Sequence, residues 1–117
     1  MRDKHEQRVK DYLLDIAEAI DLIESYTKGC SAEDFFRSFK LQDAVERRIG
    51  IIGEAASSIP ASFRQKYPEV AWAEVAGMRN LLIHEYFGTD HKIVWDVVEK
   101  DLPKLKKQIV EILKQTG

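Results

Sequence analysis

The sequence predicts an all-α fold: an antiparallel bundle of four long helices with short helical pieces between them. Three observations lead to this prediction. Apolar residues recur at alternating spacings of four and three along most of the chain, which is the period of one helix face. Only three prolines and six glycines occur, and most stand where helices would begin or end. Hydrophobic residues make up 44% of the 117 residues, which suits a single domain, residues 1–117, with one core.

The first long helix is expected over residues 6–28, with Gly29 ending it. Ser31 follows, and Asp34 stands three residues further on, a pattern close to a capping box, so a short helix should begin there. Phenylalanines are expected to pin this short helix onto the core. The apolar positions are Val9, Leu13, Ile16, Ile20 and Ile23 in the long helix, and Phe35, Phe36 and Phe39 in the short one.

The second long helix is expected over residues 41–59, where Pro60 ends it, and residues 60–69 form a connector with about one helical turn. Beside its apolar face runs a stripe that contains Gly50 and Gly53, and each mid-helix glycine costs roughly 1 kcal/mol relative to alanine. Two explanations remain open for them: close packing inside the bundle, or a surface that abuts a second subunit or frames a cleft. The apolar face comprises Val45, Ile49, Ile52, Ala56 and Ile59, and Glu46 and Ser57 complete the glycine stripe.

The other two long helices are expected over about residues 70–87, closed by Gly88, and from a cap at Thr89 or Asp90 towards the end of the chain. In the last helix the apolar residues keep their spacing straight through Pro103. A kink or a restarted turn is therefore expected at Pro103 rather than a new direction. These apolar residues are Val98, Leu102, Leu105, Ile109 and Ile112.

The composition and the charge argue against several classes of protein. The formal net charge of −2 argues against a general nucleic-acid binder, so any RNA contact must come from a local patch. The single cysteine, Cys30, excludes an internal disulfide and fits a cytoplasmic protein. No apolar run approaches the roughly 20 residues that span a bilayer, and the N-terminus does not resemble a signal peptide, so no membrane contact is expected. His84 and His91 lack nearby ligands, so neither a metal site nor another cofactor is expected.

The segment GMRNLLIHEYFG, residues 77–88, places an arginine, a histidine and a tyrosine in an apolar helix, although a buried ionised side chain is costly unless it is paired. In a regular α-helix about 140° separates Arg79 from His84. Three arrangements remain open: the helix ends and turns the histidine round, the arginine reaches across, or two copies of the chain share the site. Arg79 shares an arc of roughly 80° with Trp72, Val75, Leu82 and Tyr86, and the opposite side holds Ala73, Gly77, Asn80 and His84.

Two further polar pairs are suggested by helical spacing. Asn80 and His84 are i, i+4 neighbours, so the amide can orient the imidazole and fix its tautomer. Glu54 projects away from the core on the same side as Arg47, for which a surface ion pair is the simplest explanation. Spacing alone favours structural roles for the arginine and the histidine over catalysis.

The octapeptide RNLLIHEY, residues 79–86, resembles the R-x4-H-x-Y motif of HEPN-domain toxins, more specifically the HepT toxins of HepT/MntA pairs. LQDAVERRIGIIGEAASSIP, residues 41–60, resembles the second long helix of that family, and VWDVVEKDLPKLKKQI, residues 94–109, resembles its C-terminal helix. The resemblance implies a homodimer of HEPN-like helical bundles. It also implies a metal-independent endoribonuclease, the toxin of a type VII toxin–antitoxin system, with its cleft at the dimer interface.

The resemblance also implies residue roles. His84 would perform acid–base work on the 2′-hydroxyl, and Arg79 would stabilise charge on the phosphorane oxygens. Asn80 would orient the base or a phosphate, and Glu54 is a weaker candidate for supporting Arg79. The implied partner is an MntA-like minimal nucleotidyltransferase antitoxin that attaches AMP to Tyr86, where a bulky anion would repel an RNA phosphate.

Two alternatives stay open beside the ribonuclease. The first is a non-catalytic helical binding subunit that pairs with a nucleotidyltransferase and binds nucleotide or substrate, a view that the net charge of −2 mildly favours. The second is a plain helical dimerisation domain, which leaves the two glycines and the polar motif without an explanation.

Overall fold

Every element of the part of the chain that the structure describes is helical. The computed structural model describes residues 4–82 and 90–116, except for the side chain of His5. The all-α prediction is therefore confirmed for these residues. In chain order the elements are α1 (Lys4–Thr27), α2 (Ala32–Arg37), α3 (Phe39–Ser58), α4 (Ala61–Arg64), α5 (Trp72–Ala76), a 3-10 helix (Gly77–Leu82), α6 (His91–Asp96), a π-helix (Val97–Asp101) and α7 (Leu102–Thr116).

The core lies where α1 packs against both α3 and α7, and α5 and the 3-10 helix cover α3 from another side. The apolar faces predicted for the first two long helices are confirmed, because each of their ten residues is buried. Burial of these faces is the main source of stability for helices of this kind, whose intrinsic propensity alone is marginal. None of the helices within the described ranges is long and apolar enough to cross a membrane.

The short helix α2 begins as expected but buries less than expected. Gly29 has a positive φ of 76°, and Ser31 and Asp34 form a complete capping box. Phe35 is fully buried, whereas 45% of Phe36 and 81% of Phe39 are exposed, so the prediction that these two pin the helix is wrong. A six-residue helix has room for one buried aromatic on one face, and Phe39 already belongs to the first turn of α3.

Side chains cap several helix ends. Gln42 is buried and its amide donates to the carbonyl oxygens of Phe35 and Phe36, 2.9 and 3.2 Å away, at the C-terminal end of α2. The guanidinium of Arg64, in the single helical turn predicted for the connector, donates to the carbonyl oxygens of Ile59 and Ala56 at the end of α3. Donors at a helix C-terminus satisfy carbonyls that lack intrahelical partners.

The predicted long helix over residues 70–87 is wrong in its described part. A five-residue α-helix, α5, passes at Gly77 into a six-residue 3-10 helix that is described as far as Leu82. Residues 83–89 lie outside the described part, and with them Gly88 as the helix end. Buried residues keep a spacing of three from α5 into the 3-10 helix, where three is the helical period. They are Trp72, Val75 and Met78. The bundle of four long helices is not confirmed.

The last helical segment restarts at Pro103, as predicted. The π-helix precedes the proline, and the Leu102 amide donates to the carbonyl of Val97, five residues back. Proline has no N–H and its ring crowds the carbonyl four residues earlier, so a wider turn relieves the clash. Because that turn holds an extra residue, Val97 is buried where Val98 was expected, and Val98 is only half-buried. The four later apolar positions are buried as predicted.

The N-terminal cap of α6 is Asp90, one of the two residues proposed for it. Its carboxylate accepts from the amides of Lys92 and Ile93, 3.0 and 3.3 Å away. Thr89, the other candidate, lies outside the described residues. An aspartate at this position also interacts favourably with the positive end of the helix dipole.

Candidate functional site

Gly53 allows the 3-10 helix to lie directly on α3. A Cβ atom at this buried glycine would stand 3.0 Å from the backbone nitrogen of Arg79, 3.1 Å from its Cβ and 3.2 Å from the carbonyl oxygen of Ala76. Two of these three atoms belong to the backbone and cannot rotate away. Close packing inside the chain, the first of the two explanations for the glycines, therefore holds for Gly53.

Gly50 has a different environment one turn earlier on α3. A Cβ atom there would meet only Leu82, with the nearest atom, Cδ1, at an ordinary contact distance of 3.6 Å. Gly50 is half-buried and forms part of the wall of an open groove. The two glycines of the stripe therefore have different roles. Gly53 allows close packing, whereas the second explanation, a surface that frames a cleft, applies to Gly50.

The groove lies between the outer face of α3 and the 3-10 helix and has a volume of about 320 Å³. This volume is at the lower end of the range for ligand-binding pockets. Its polar side chains are two guanidinium groups and two carboxylates, so the groove itself has no net charge at neutral pH. The lining residues are Glu46, Arg47, Gly50, Ile51, Glu54, Arg79 and Leu82.

Arg79 is exposed and carries its charge into solvent at this groove. The predicted arc is therefore wrong, because Trp72 and Val75 are buried while Arg79 is not. The cause is the change of period at Gly77: at three residues per turn Met78, not Arg79, continues the buried stripe. Because Arg79 is exposed, the fold does not bear the energetic cost of burying its guanidinium. The predicted angle of about 140° between Arg79 and His84 does not apply either, because it was calculated for a regular α-helix.

Glu54 lies in the same groove as Arg79, which brings two of the predicted site residues together. Among the described residues neither side chain makes an ion pair, so the support that Glu54 was expected to give Arg79 is not a direct contact in this structure. The ion pair expected between Arg47 and Glu54 does not form either. The backbone carbonyl of Glu54 instead accepts hydrogen bonds from the hydroxyls of Ser57 and Ser58.

The remaining predicted site residues stand apart from this groove or outside the description. Asn80 is exposed and does not line the groove. His84 and Tyr86 lie outside the described residues. The i, i+4 pairing of Asn80 with His84 extends into the same segment, and Asn80 itself belongs to the 3-10 helix rather than to an α-helix.

Sequence reasoning missed Arg47 and Glu46 as groove residues. Glu46 faces His91 of α6, with 3.9 Å between the carboxylate Oε2 and the imidazole Nε2, and the His91 ring stands edge-on to Phe35. The available signal was the position of Glu46 on the glycine stripe. A stripe of glycines on a helix marks the line where another element approaches, and the charged residues beside that line border the resulting groove.

No group of three histidine, cysteine, aspartate or glutamate side chains within residues 4–82 and 90–116 is arranged to hold a metal ion. The chemistry that this groove can support with its own groups is electrostatic. A guanidinium binds the oxygens of a phosphate through two parallel hydrogen bonds, and a carboxylate accepts hydrogen bonds from hydroxyl or amino groups.

One protein-family model and several known proteins are similar to this chain. The family model described as Ribonuclease HepT-like matches residues 16–112. A Methanocaldococcus jannaschii protein named as a gamma-glutamylcyclotransferase and, provisionally, as an RNase is 53% identical over 92% of the chain, which spans about half (48%) of that relative's length. A Thermococcus cleftensis protein named "probable ribonuclease HepT" is 49% identical over 90% of the chain and 96% of its own length. A provisionally named RNase of Caldanaerobacter subterraneus is 42% identical over 91% of the chain and 95% of its own length. No solved structure shows a significant match.

Proposed function

Because the chain belongs to the HepT-like ribonuclease family, we propose that it is an endoribonuclease toxin that cuts RNA without a metal ion. The observation that carries the proposal is the position of Arg79. Its backbone is held against α3 at Gly53, while its guanidinium is exposed at a groove of about 320 Å³. This is the arrangement that a phosphate-binding arginine requires, because a fixed backbone limits the reorganisation needed when charge develops on the substrate.

The proposed reaction uses the substrate's own nucleophile. His84 accepts the proton of the 2′-hydroxyl as its oxygen attacks the adjacent phosphorus, and the bond from phosphorus to the 5′-oxygen breaks. The leaving 5′-oxygen takes up a proton, so the products are a 2′,3′-cyclic phosphate and a 5′-hydroxyl. Arg79 donates hydrogen bonds to the non-bridging oxygens, where negative charge increases in the transition state. Asn80 is assigned to orienting the base or a phosphate.

One experiment tests this proposal directly. Mixed tRNA and mRNA are incubated in EDTA with the unmodified protein, with Arg79→Ala and His84→Ala, and with Arg37→Ala as a matched control. Arg37 is exposed on α2 and makes only a surface ion pair with Glu33, so its loss should leave the fold intact. We expect the unmodified protein and the control to produce cyclic-phosphate ends, and the other two variants to lose at least 100-fold in rate, on the order of one removed transition-state donor. No cleavage of either RNA by the unmodified protein would refute the ribonuclease.

Glu54 is proposed to support Arg79 through the groove that they share. Glu54→Gln removes a negative charge that repels phosphate and that attracts the Arg79 guanidinium across the groove without touching it. We therefore expect kcat to fall while KM stays constant or decreases, because transition-state stabilisation and ground-state binding change in different ways. An unchanged kcat in Glu54→Gln would contradict the proposed support and leave Glu54 as a surface residue without a role in cleavage.

The active form is proposed to be a homodimer in which the two copies share one cleft. The support is the family, together with a groove that is open on the side facing away from the core. Mixing Arg79→Ala with His84→Ala tests this, because a hybrid dimer has one intact Arg79 and one intact His84 on different chains. Recovered cleavage is expected. Cleavage by a monomer, measured by light scattering at the assay concentration, would contradict it.

Regulation is proposed to occur through a minimal nucleotidyltransferase antitoxin that transfers AMP to Tyr86. The tyrosine oxygen would attack the α-phosphate of ATP, with pyrophosphate as the leaving group. The added phosphodiester carries a negative charge two residues from His84 and would repel an RNA phosphate. Mass spectrometry after co-expression should show added AMP that is absent in Tyr86→Phe. An unmodified Tyr86 in an active complex would count against this regulation.

A non-catalytic binding subunit remains the second candidate, and one observation favours it. The two carboxylates of the groove offset its two guanidinium groups, so RNA gains little from the local field. This candidate predicts that the unmodified protein binds its nucleotidyltransferase but leaves RNA intact in the EDTA assay.

A further inference from the structure

Arg47 is the second guanidinium of the groove, and the proposed cleavage gives it no task. It is exposed on α3 and lines the same groove as Arg79. Two other surface cations do pair with carboxylates: Arg37 with Glu33 at 3.1 Å, and Lys106 with both Asp21 and Glu24 at 2.9 and 3.0 Å. Within residues 4–82 and 90–116, no acidic side chain lies within ion-pair distance of Arg47.

We propose that Arg47 is a second phosphate-binding residue, which holds the RNA phosphate next to the one on which Arg79 acts. This inference rests on the proposed ribonuclease function. A guanidinium matches a phosphate in shape and charge, and contacts to phosphates fix the position of a nucleic acid without selecting its sequence. One contact leaves a strand free to pivot about the bound phosphate. A second contact removes that freedom and orients the strand for in-line attack.

The backbones of the two arginines are both fixed relative to Gly53. Arg47 precedes Gly53 by six residues on α3, which corresponds to about 9 Å along the helix axis and about 120° around it. Gly53 in turn is in direct contact with the backbone of Arg79. Two flexible arginine side chains can shorten such a separation to the distance between neighbouring phosphates of one strand.

The groove favours single-stranded RNA as the ligand. A volume of about 320 Å³ gives room for only a short segment of a strand inside the groove. The flanking carboxylates of Glu46 and Glu54 also fit a single strand, because they accept hydrogen bonds from base amino groups, which are free only when the bases are unpaired. The dense phosphate charge of a duplex would meet these carboxylates without such compensation.

The test measures binding of a single-stranded 2′-O-methyl RNA oligonucleotide, whose nucleophile is blocked so that it stays intact. Affinities are measured over a series of salt concentrations for the unmodified protein, Arg47→Ala, Arg47→Lys and the control Arg37→Ala. We expect Arg47→Ala to bind about tenfold more weakly and to reduce the slope of log K against log salt by about 0.7 for each lost contact. Arg47→Lys should keep the slope, and the control should match the unmodified protein.

Cleavage of unmodified RNA provides the second readout. Arg47→Ala should raise KM about tenfold with a smaller change in kcat, because this contact is made in the ground state as well as in the transition state. If Arg47→Ala lowers the melting temperature, Arg47→Gln, which keeps the side-chain stem, replaces it.

The outcomes separate this inference from the function on which it rests. A protein that cleaves RNA while Arg47→Ala keeps the same affinity and salt slope overturns the role of Arg47 alone. Weaker binding with an unchanged slope, or an equal loss in Arg47→Lys, also overturns it, since either result indicates a structural role. A protein that neither binds nor cleaves RNA overturns the proposed function, and the inference with it.

Discussion

Alanine at Gly50 should stabilise the fold and alanine at Gly53 should not, although the two glycines lie three residues apart on the same helix. Alanine in place of a mid-helix glycine gains roughly 1 kcal/mol in helix propensity. At Gly50 the new methyl group meets Leu82 at 3.6 Å, an ordinary contact, so the gain should be retained. We expect Gly50→Ala to raise the free energy of unfolding by about 1 kcal/mol.

At Gly53 the same gain is opposed by overpacking. The new methyl group would stand 3.0 Å from the Arg79 nitrogen and 3.2 Å from the Ala76 carbonyl oxygen, so the 3-10 helix must move away from α3. Forcing an extra methylene into a packed contact costs typically about 1–3 kcal/mol. Gly53→Ala should therefore be less stable than Gly50→Ala by that amount, about 1–3 kcal/mol.

Urea denaturation followed by circular dichroism measures the two free energies of unfolding. The rate of RNA cleavage measures whether displacement of Arg79 affects the proposed activity. Gly53→Ala should lose activity because the 3-10 helix that carries Arg79 is displaced, even in the folded protein. Each variant is the control for the other, since both change glycine to alanine on α3. Equal stabilisation by the two substitutions would refute the contact between Gly53 and the 3-10 helix.

Three other predictions concern stability. Arg64→Ala should lower the free energy of unfolding by about 1–3 kcal/mol, because two carbonyl oxygens at the end of α3 lose a charged donor; a melting temperature within 1 °C, about the error of a thermal scan, would contradict this. Burial, then repulsion from Glu18 and Asp11, raises the pKa of the Asp15 carboxyl, so the ionised form destabilises the fold. Asp15→Asn should thus be more stable by at most a few tenths of a kcal/mol at pH 7, an advantage that disappears as the pH falls through the raised pKa. Hydrogen bonds to Asp21 and Glu24 raise the pKa of Lys106, so its stabilising effect is fully present below the usual lysine pKa and is lost as the pH rises through the raised value. Lys106→Met should remove this effect, and a stability difference that persists unchanged at the highest pH would show that packing is responsible.

Helical periodicity predicted the parts of the fold in which one period continues for several turns. The apolar faces of α1 and α3 each repeat over 15 residues, 9–23 and 45–59, so the burial pattern is strongly determined. The segment after Ala71 could not be predicted in the same way. Trp72, Val75 and Met78 fit a 3-10 stripe, but the sequence offers Arg79 at the α-helical spacing equally well. Packing of the 3-10 helix against Gly53 determines which of the two spacings is used. That contact joins two elements, so the local sequence pattern does not reveal it.

The candidate site was predictable to a smaller extent. Arg79 stood out as an arginine in an apolar segment, and its site role and that of Glu54 came from the family resemblance; the structure brings both to one groove. Arg47 was assigned to an ion pair with Glu54, since opposite charges seven residues apart lie on one side of a helix. The pair does not form, because two exposed side chains gain little from ordering each other in water. Residue type and spacing therefore identify candidate charges, but not which of them border the groove or pair with one another.

The charge balance of the groove has a consequence for how RNA would be selected. A net charge of −2 for the chain and none for the groove give little long-range attraction, so association with RNA should depend weakly on nonspecific charge. Affinity must then come from contacts that form only when phosphates, hydroxyls and bases reach the correct groups. Such contacts are lost on duplex or poorly positioned RNA, whereas a basic surface would bind all of these. A low ratio of nonspecific to specific binding is therefore the expected property of the proposed ribonuclease.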